Sequence, residues 1–351
     1  MNQTRSWPTL KTPAVALGCA CAAVLCLFIL RLSAGTVALP PLTILRSLIG
    51  AEQGVPASIV NGFRLPRALT AMLAGAAMAI SGLQMQTLLR NPLAGPWILG
   101  IVGCARLGVA TLLILGAAAG LTLATTFGPL ASGALAIAAI GGAAAGMFAI
   151  ASLSRRISAV TLLIAGVIAT YVADSAANLL VTLAPQSQKA IFVAWNDGNF
   201  ENITWTQLKI FLLVGTLGLA ASAGLVKALD ALVLGERYAR SLGHSVGRDR
   251  YVAVLGIVAL AGSVTAFCGP IAFLDVAVPH LARGLFRTAS HKTLMPASAM
   301  IGAFIALAAD MATSLPGAQQ ILHINHVTAV LGGPVILWVL LSRRENREMQ
   351  L

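Results

Sequence analysis

Four charged residues stand inside otherwise apolar stretches of the sequence: Arg106, Asp174, Asp275 and Asp310. An unpaired charge in apolar surroundings is costly, so each is expected to pair, to face a cavity or to lie in the protein interior. Two hypotheses compete for Arg106. Either it forms an ion pair with one of the three aspartates, or it lines a passage and attracts an anionic solute. Charge-reversal pairs separate these hypotheses, because pairing requires that a swapped pair restore the protein.

Further polar residues share one face of a single helix. Tyr171, Asp174 and Asn178 follow the spacing i, i+3 and i+7, which places their side chains on one side. A polar face in an otherwise apolar segment favours the lining of a passage. The alternative is a hydrogen-bonded cluster between helices.

The histidines have too few neighbouring ligands to predict a metal site. His280 follows Pro279, which should bend its helix, and lies one turn from Arg283. We interpret His280 as a ring bonded to a backbone carbonyl rather than a proton or metal site. His323 and His326 are three residues apart, and a polar helix start is favoured there over a contact with a solute.

Composition predicts an all-α polytopic membrane protein. Only 10% of the 351 residues are charged, against about 25% in soluble domains. Apolar runs long enough for membrane helices, with two shorter ones, predict about ten spans. They lie at roughly 14–32, 68–89, 97–118, 128–152, 159–183, 207–229, 251–267, 270–286, 293–313 and 327–342.

The net charge of +12 follows from loop position rather than from nucleic-acid binding. Alternate loops divide the basic residues into 16 on the side of both termini and 6 on the other, with Arg106 inside a span. The positive-inside rule therefore predicts cytoplasmic termini and a cytoplasmic loop at 230–250. Arg64 and Arg67 then lie at the outer end of the second span.

The 230–250 loop contains a short amphipathic segment. Charges at 236, 237 and 240 alternate with apolar residues at 234, 238 and 242, which predicts a helix at the membrane face, ended by Gly243. A solvated connector is the alternative. The sequence has no Gly-rich phosphate loop ending in Gly-Lys-Ser/Thr, so ATP hydrolysis would belong to another chain.

Several motifs together resemble the permease subunit of bacterial ABC importers for iron–siderophore, haem and cobalamin. They are RLPR (64–67), RNPLAGP (90–96), LGERYARSLG (234–243), GPIAF (269–273) and VPHLAR (278–283). The resemblance covers about 64–338. It implies a type II importer permease fold in the bacterial inner membrane, with 1–351 as one transmembrane domain. The structural motif residues are Asn91, Pro92, Gly269, Pro270, Pro279, His280 and Arg283.

The resemblance also implies partners. These are a second permease copy or paralogue, two ATP-binding subunits that hold ATP and Mg²⁺, and a periplasmic substrate-binding protein. The permease is then not an enzyme and binds no cofactor itself. Arg64 and Arg67 would dock the binding protein, although anchoring at the membrane surface is the alternative. Ser158 and Thr161 would help form an inner gate, at the start of a pathway-lining fifth span.

The amphipathic segment would be the coupling helix that docks on the ATPase. Its proposed contact residues are Leu234, Gly235, Glu236, Arg237, Ala239, Arg240, Leu242 and Gly243.

Three positions depart from the family pattern. Arg106 stands where a small residue is usual, Asp275 replaces a Gly, and the stretch after Asp310 lacks an arginine often found there. The expected solute is a ferric siderophore, with haem or cobalamin as alternatives. An ion-coupled secondary transporter using the intramembrane charges is more remote, because no inverted repeat is visible. An intramembrane enzyme is also remote, because no nucleophile–base motif is present.

Overall fold

The computed structural model describes residues 13–35, 37–97, 100–119, 131–154, 159–201, 203–314 and 322–348, and its regular secondary structure in these ranges is helical. The helices are α1 (Pro13–Ser33), α2 (Pro41–Leu48), α3 (Val55–Ile59), α4 (Leu65–Leu88), α5 (Ile101–Ala118), α6 (Ala131–Ser154), α7 (Ala159–Leu183), α8 (Gln186–Asn196), α9 (Trp205–Gly224), α10 (Val226–Leu234), α11 (Glu236–Ser241), α12 (Val246–Ile257), α13 (Ser263–Cys268), α14 (Leu274–Phe286), α15 (His291–Thr313) and α16 (Ile324–Glu348). π-helical turns at Val60–Arg64 and Val258–Gly262 join α3 to α4 and α12 to α13.

Among the described residues, 8 helical runs are long and apolar enough to cross a membrane. The apolar part of α16, Ile324–Leu337, adds a shorter apolar helix. Together with α14, it brings the total close to the expected ten. The second and seventh spans begin earlier than the sequence predicts. The second span extends over Val55–Leu88, and the seventh is a full-length run over Val246–Cys268 rather than a short one. α14 has 13 residues, which at about 1.5 Å each is too short to cross the bilayer.

The run Val55–Leu88, which contains α4, is the most buried of these 8 runs, with 83% of its apolar window buried. It packs backbone to backbone against α15 through two glycines. A Cβ at Gly75 would lie 2.2 Å from the Gly302 carbonyl oxygen, and a Cβ at Gly302 would lie 2.3 Å from the Gly75 oxygen. Because only glycine allows this approach, the two helices form a tight central pair.

α5 packs in the same way against α6 and also against α7. A Cβ at Gly142 would lie 2.1 Å from the Cys104 carbonyl oxygen, and a Cβ at Gly108 would lie 2.3 Å from that of Ala138. With one side of α5 fixed on α6, its other side faces α7. This arrangement directs Arg106 of α5 towards the polar residues of α7.

A tight turn separates α13 from α14. Gly269 has a φ of 75°, and Phe273, which directly precedes α14, has a φ of 71°. Asp275 follows in the first turn and is only 3% exposed. A Cβ at Gly95 would lie 2.1 Å from its Oδ2. Asp275 therefore lies in the protein interior, one of the placements expected for it.

Candidate coupling, pathway and docking sites

The segment 234–243, called here the coupling segment, folds as the sequence predicts. α11 is a six-residue helix, and Gly243 ends it with a φ of 84°. Ala239 is buried, whereas Leu234, Tyr238 and Leu242 are 66%, 48% and 57% exposed. These three side chains give the helix an outward apolar surface. Exposed apolar surface of this kind marks contact with another protein or with lipid.

The first residues of α11 connect it to both neighbouring helices. Glu236 Oε1 accepts a hydrogen bond of 2.7 Å from Arg250 Nη2 on α12. Gly235 has a φ of 123°, which favours glycine between α10 and α11. An ion pair with α12 and a single glycine after α10 therefore hold the start of the coupling segment against its two flanking helices.

The chain leaving α4 is held by α14. Residues 86–92 form this connection, called here the exit segment. Arg283 donates to the Gln86 amide oxygen at 2.6 Å, and His280 Nε2 lies 2.8 Å from the Pro92 carbonyl oxygen. A carbonyl only accepts, so Nε2 carries the proton. The backbone-bonded interpretation of His280 is confirmed. His280 and Pro92, 188 residues apart in sequence, therefore belong to one packing unit.

A second contact joins α10 to the same segment. The carboxylate of Asp230 accepts 2.7 Å hydrogen bonds from both the backbone N–H and the ring Nδ1 of His291. His291 Nε2 lies 2.8 Å from Thr87 Oγ1. The three residues thus connect the helix before the coupling segment, the first turn of α15 and the end of α4. Sequence reasoning missed Asp230 and His291, because neither belongs to a recognisable motif.

Arg106 pairs with Asp174. Its Nη1 lies 2.7 Å from Asp174 Oδ1, with the two side chains 13% and 19% exposed. Its Nη2 donates to Asn178 Oδ1 at 3.4 Å, and the guanidinium lies 5.8 Å from the ring centre of Phe192. The pairing hypothesis is confirmed and its partner is identified. The pair fixes α5 to α7, and the pathway-lining role stays a prediction.

The remaining gate and pathway residues are less enclosed. Tyr171 is 71% exposed, and Thr161 is also exposed. Ser158 lies outside the described residues. Asn178 is exposed beside Arg106. Tyr171 and Asn178 share an outward side of α7, which is the face predicted from their spacing.

An ion-pair network lies at the opposite end of α4 from the exit segment. Its members, called here the outer cluster, are Arg31, Arg67, Glu201 and Asp310. Asp310 is 1% exposed and contacts both Arg31 and Arg67, the latter with Nε 2.8 Å from its Oδ1. Arg67 also contacts Glu201. Asp310 therefore has the charged partners that an intramembrane carboxylate needs.

Arg64 and Arg67 differ in availability. Arg64 is 8% exposed and donates to the backbone carbonyls of Leu32 at 2.7 Å and Ser33 at 3.0 Å, and also to that of Val37. It thereby satisfies orphan carbonyls at the end of α1. The Arg67 side chain is 16% exposed. Their docking role stays a prediction, and Arg67 is the better placed of the two.

A cleft of about 220 Å³ opens beside the outer cluster. Arg67, Glu201 and His323 are among its lining residues. His323 Nδ1 lies 3.6 Å from Asp197 Oδ2, and the rings of His323 and His326 meet edge to face at 5.5 Å. The part of the chain that the structure describes holds no group of three or more His, Cys, Asp or Glu residues suited to a metal ion.

Comparison with protein families decides the class of this membrane protein. A model described as the FecCD transport family matches residues 23–342. The chain belongs to the FecCD transport family. It is therefore a multi-pass ABC importer permease, as its helices and motifs together predict.

Curated relatives of this FecCD permease carry substrate names. The chain is 31% identical over 82% of its length to the Escherichia coli K12 Fe(3+) dicitrate transport system permease protein FecD, covering 86% of that protein. It is 32% identical over 91% of its length to the ferric enterobactin transport system permease protein FepD of the same strain, covering 92%. It is 34% identical over 86% of its length to the vitamin B12 import system permease protein BtuC of Klebsiella pneumoniae, covering 91%.

A solved structure agrees in fold. An inward-facing metal-chelate type ABC transporter superposes on this FecCD permease with a TM-score of 0.79, covering 94% of this chain and 99% of the other. The two sequences are 23% identical, so the likeness concerns the fold alone. The type II importer permease fold expected from the motifs is confirmed.

Proposed function

We propose that this permease forms one half of the passage of an ATP-driven, binding-protein-dependent importer of a ferric siderophore. The observation that carries the proposal is the chain of contacts Asp230–His291–Thr87, which ties the helix before the coupling segment to α4. An ATPase subunit bound to α11 would displace α10 and with it the inner end of α4. A permease that merely conducts would have no need of such a linkage.

The partners follow from this role. Two ATP-binding subunits would hydrolyse ATP and grip the coupling segments of two permeases, which are either identical copies or paralogues. Residues 1–351 would form one transmembrane domain with both termini in the cytoplasm. This orientation is supported by the 16 to 6 division of basic residues. A periplasmic binding protein would dock at the opposite face, near Arg67.

Transport would proceed by alternating access. The loaded binding protein docks outside, ATP brings the two ATPase subunits together inside, and the coupling segments rearrange the passage between the two permeases. α7 is the best candidate for its wall, because Tyr171 and Asn178 are exposed there beside the Arg106–Asp174 pair. A narrow buried stripe, Gly166, Thr170, Ala173 and Ala177, holds α7 on the rest of the chain.

The solute class rests on the relatives. Ferric dicitrate and ferric enterobactin appear in the names of two of the three relatives described above, and vitamin B12 in the third. A ferric siderophore is therefore the first choice. Haem or cobalamin is the alternative.

Reconstitution tests the proposal. The permease, candidate ATPase subunits and candidate binding proteins are combined in proteoliposomes, and ATP hydrolysis is measured with ferric siderophores, haem and cobalamin. A ferric siderophore is expected to stimulate hydrolysis and to accumulate inside. L234D, which alters a 66% exposed side chain, should abolish ATPase binding and leave the permease folded. Uptake without any ATPase would refute the proposal, and stimulation by cobalamin alone would favour the alternative.

A further inference from the structure

The outer cluster contains two acids in very different settings. Asp310 is 1% exposed and lies between Arg31 and Arg67. The Glu201 side chain is 46% exposed and contacts Arg67 from the opposite side. The two arginines and two acids sum to zero net charge. Asp310 is thus the fixed inner partner of Arg67, and Glu201 is a partner at the surface.

Arg67 is oriented by its buried partners. Its Nε lies 2.8 Å from Asp310 Oδ1, and its Nη2 donates to Thr313 Oγ1 at 3.3 Å. These contacts hold one edge of the guanidinium inside, while Nη1 meets Glu201 at the surface. A planar guanidinium held along one edge offers its remaining N–H groups in a fixed direction, which suits it to binding a second carboxylate.

The cleft beside this pair has room for another side chain. Its volume is about 220 Å³, and Arg67, Asn199, Glu201, Thr313 and His323 are among its lining residues. Water occupies about 30 Å³ per molecule, so the cleft could hold the end of an acidic side chain with several waters. His323 also lines the cleft. Its side chain is 46% exposed, and its Nδ1 lies 3.6 Å from Asp197 Oδ2.

We propose that Glu201 is an internal occupant of a carboxylate-binding cleft, and that an acidic side chain of the binding protein displaces it from Arg67 on docking. This inference rests on the proposed importer function. It makes docking an exchange of one carboxylate for another rather than capture by a free arginine. Glu201 then lowers the affinity for the binding protein and keeps the outer cluster neutral between docking events.

The exposure of the Glu201 side chain sets the expected change in affinity for the binding protein. A half-exposed ion pair is weak, with typical worth of about 0.2–1 kcal/mol, which is about 1.4- to 5-fold in an equilibrium constant. Removing Glu201 also removes its repulsion of incoming acids. E201Q is therefore expected to lower the Kd of the binding protein about 3- to 10-fold at low salt, and less at high salt.

The experiment uses the complete transporter in nanodiscs and the binding protein that stimulates its ATP hydrolysis. Its Kd is measured for the unchanged protein and for E201Q, R67Q, R67K and R67Q/E201Q. E52Q is the matched control, because Glu52 is another acid of the loops predicted to face outward and has no place in the cluster. Thermal unfolding of each variant checks the fold, and R67K keeps the charge if R67Q does not fold.

The expected pattern is tighter binding by E201Q, weaker binding by R67Q, an unchanged Kd for E52Q, and no gain from E201Q when Arg67 is already replaced. If R67Q weakens docking but E201Q does not tighten it, the exchange is refuted while the importer function holds. If E52Q tightens binding as much as E201Q, general charge explains the gain and the proposal falls. If no binding protein stimulates hydrolysis, the importer function itself fails.

Discussion

Reversing one charge of the Arg106–Asp174 pair should damage the protein severely. The charged atoms are 2.7 Å apart, and the side chains are 13% and 19% exposed. R106D would place two carboxylates together without a cation. Removing one partner of a buried pair costs about 3–5 kcal/mol, and the partial exposure here argues for the lower value of about 3 kcal/mol. At the usual unfolding entropy of about 2.1 cal/mol/K per residue, this loss lowers the melting temperature of a 351-residue chain by about 4 °C.

The double replacement R106D/D174R measures the pair directly. Thermal unfolding is followed by intrinsic fluorescence in one detergent for R106D, D174R, the swap and the neutral pair R106Q/D174N. The swap should recover at least half of the loss, because it restores opposite charges on α5 and α7. The neutral pair should lose little, since both charges are removed together.

Two results would refute this reasoning. The swap could be as unstable as either single variant, or R106D could be restored by D310R instead of D174R. Either would mean that the Arg106–Asp174 contact does not stabilise the fold. A stable swap that no longer transports an anionic chelate would instead show that Arg106 acts on the solute, which was the competing hypothesis.

Three further predictions concern packing and coupling. G302L should fail to accumulate as folded protein, because even a Cβ there lies 2.3 Å from the Gly75 oxygen, whereas G284A, with open space around its Cβ, should accumulate normally. Gel filtration of membrane extracts compares them. H280A should lose about 1 kcal/mol of unfolding free energy. H280Q keeps an N–H donor and should lose less. Equal losses in the two variants would contradict the contact with the exit segment. D230N should weaken the charge-assisted hydrogen bond to His291, worth about 1–2 kcal/mol once the 37% exposure of the Asp230 side chain is allowed for. It should also lower the stimulation of ATP hydrolysis by binding protein. Unchanged stimulation would exclude Asp230 from coupling.

Structural features that depend on residues close together in the sequence could be predicted. The lengths of apolar runs located most of the membrane helices, and Gly243 indicated the end of α11. The prediction for the seventh span began too late. Its first turns contain Arg248 and Arg250, whose charges mask a helix that starts at Val246. Helix length alone does not tell whether charged turns at a membrane surface continue the helix.

The sequence alone could not tell which residues in distant segments form ion pairs or hydrogen bonds with one another. Three aspartates were equally available to Arg106, and only the packing of α5 on α7 selects Asp174. Asp230 lies within α10 and His291 begins α15, and the two are 61 residues apart in sequence. Arg31 counts as a loop charge in the sequence, yet it is buried against Asp310. Such pairings depend on tertiary packing, which produces no periodic pattern in the sequence.

The continuous run from Val55 to Leu88 has a mechanical consequence. Its 34 residues measure about 50 Å at 1.5 Å per residue. The Gly75–Gly302 contact divides this length into arms of about 30 Å and about 20 Å. If the run tilts as one body about this contact, its two ends move in opposite directions. A tilt of about 2° would move the end at Val55 by roughly 1 Å and the end at Leu88 by roughly 0.7 Å, in opposite directions. Spin labels at its two tips should therefore report displacements of opposite sign.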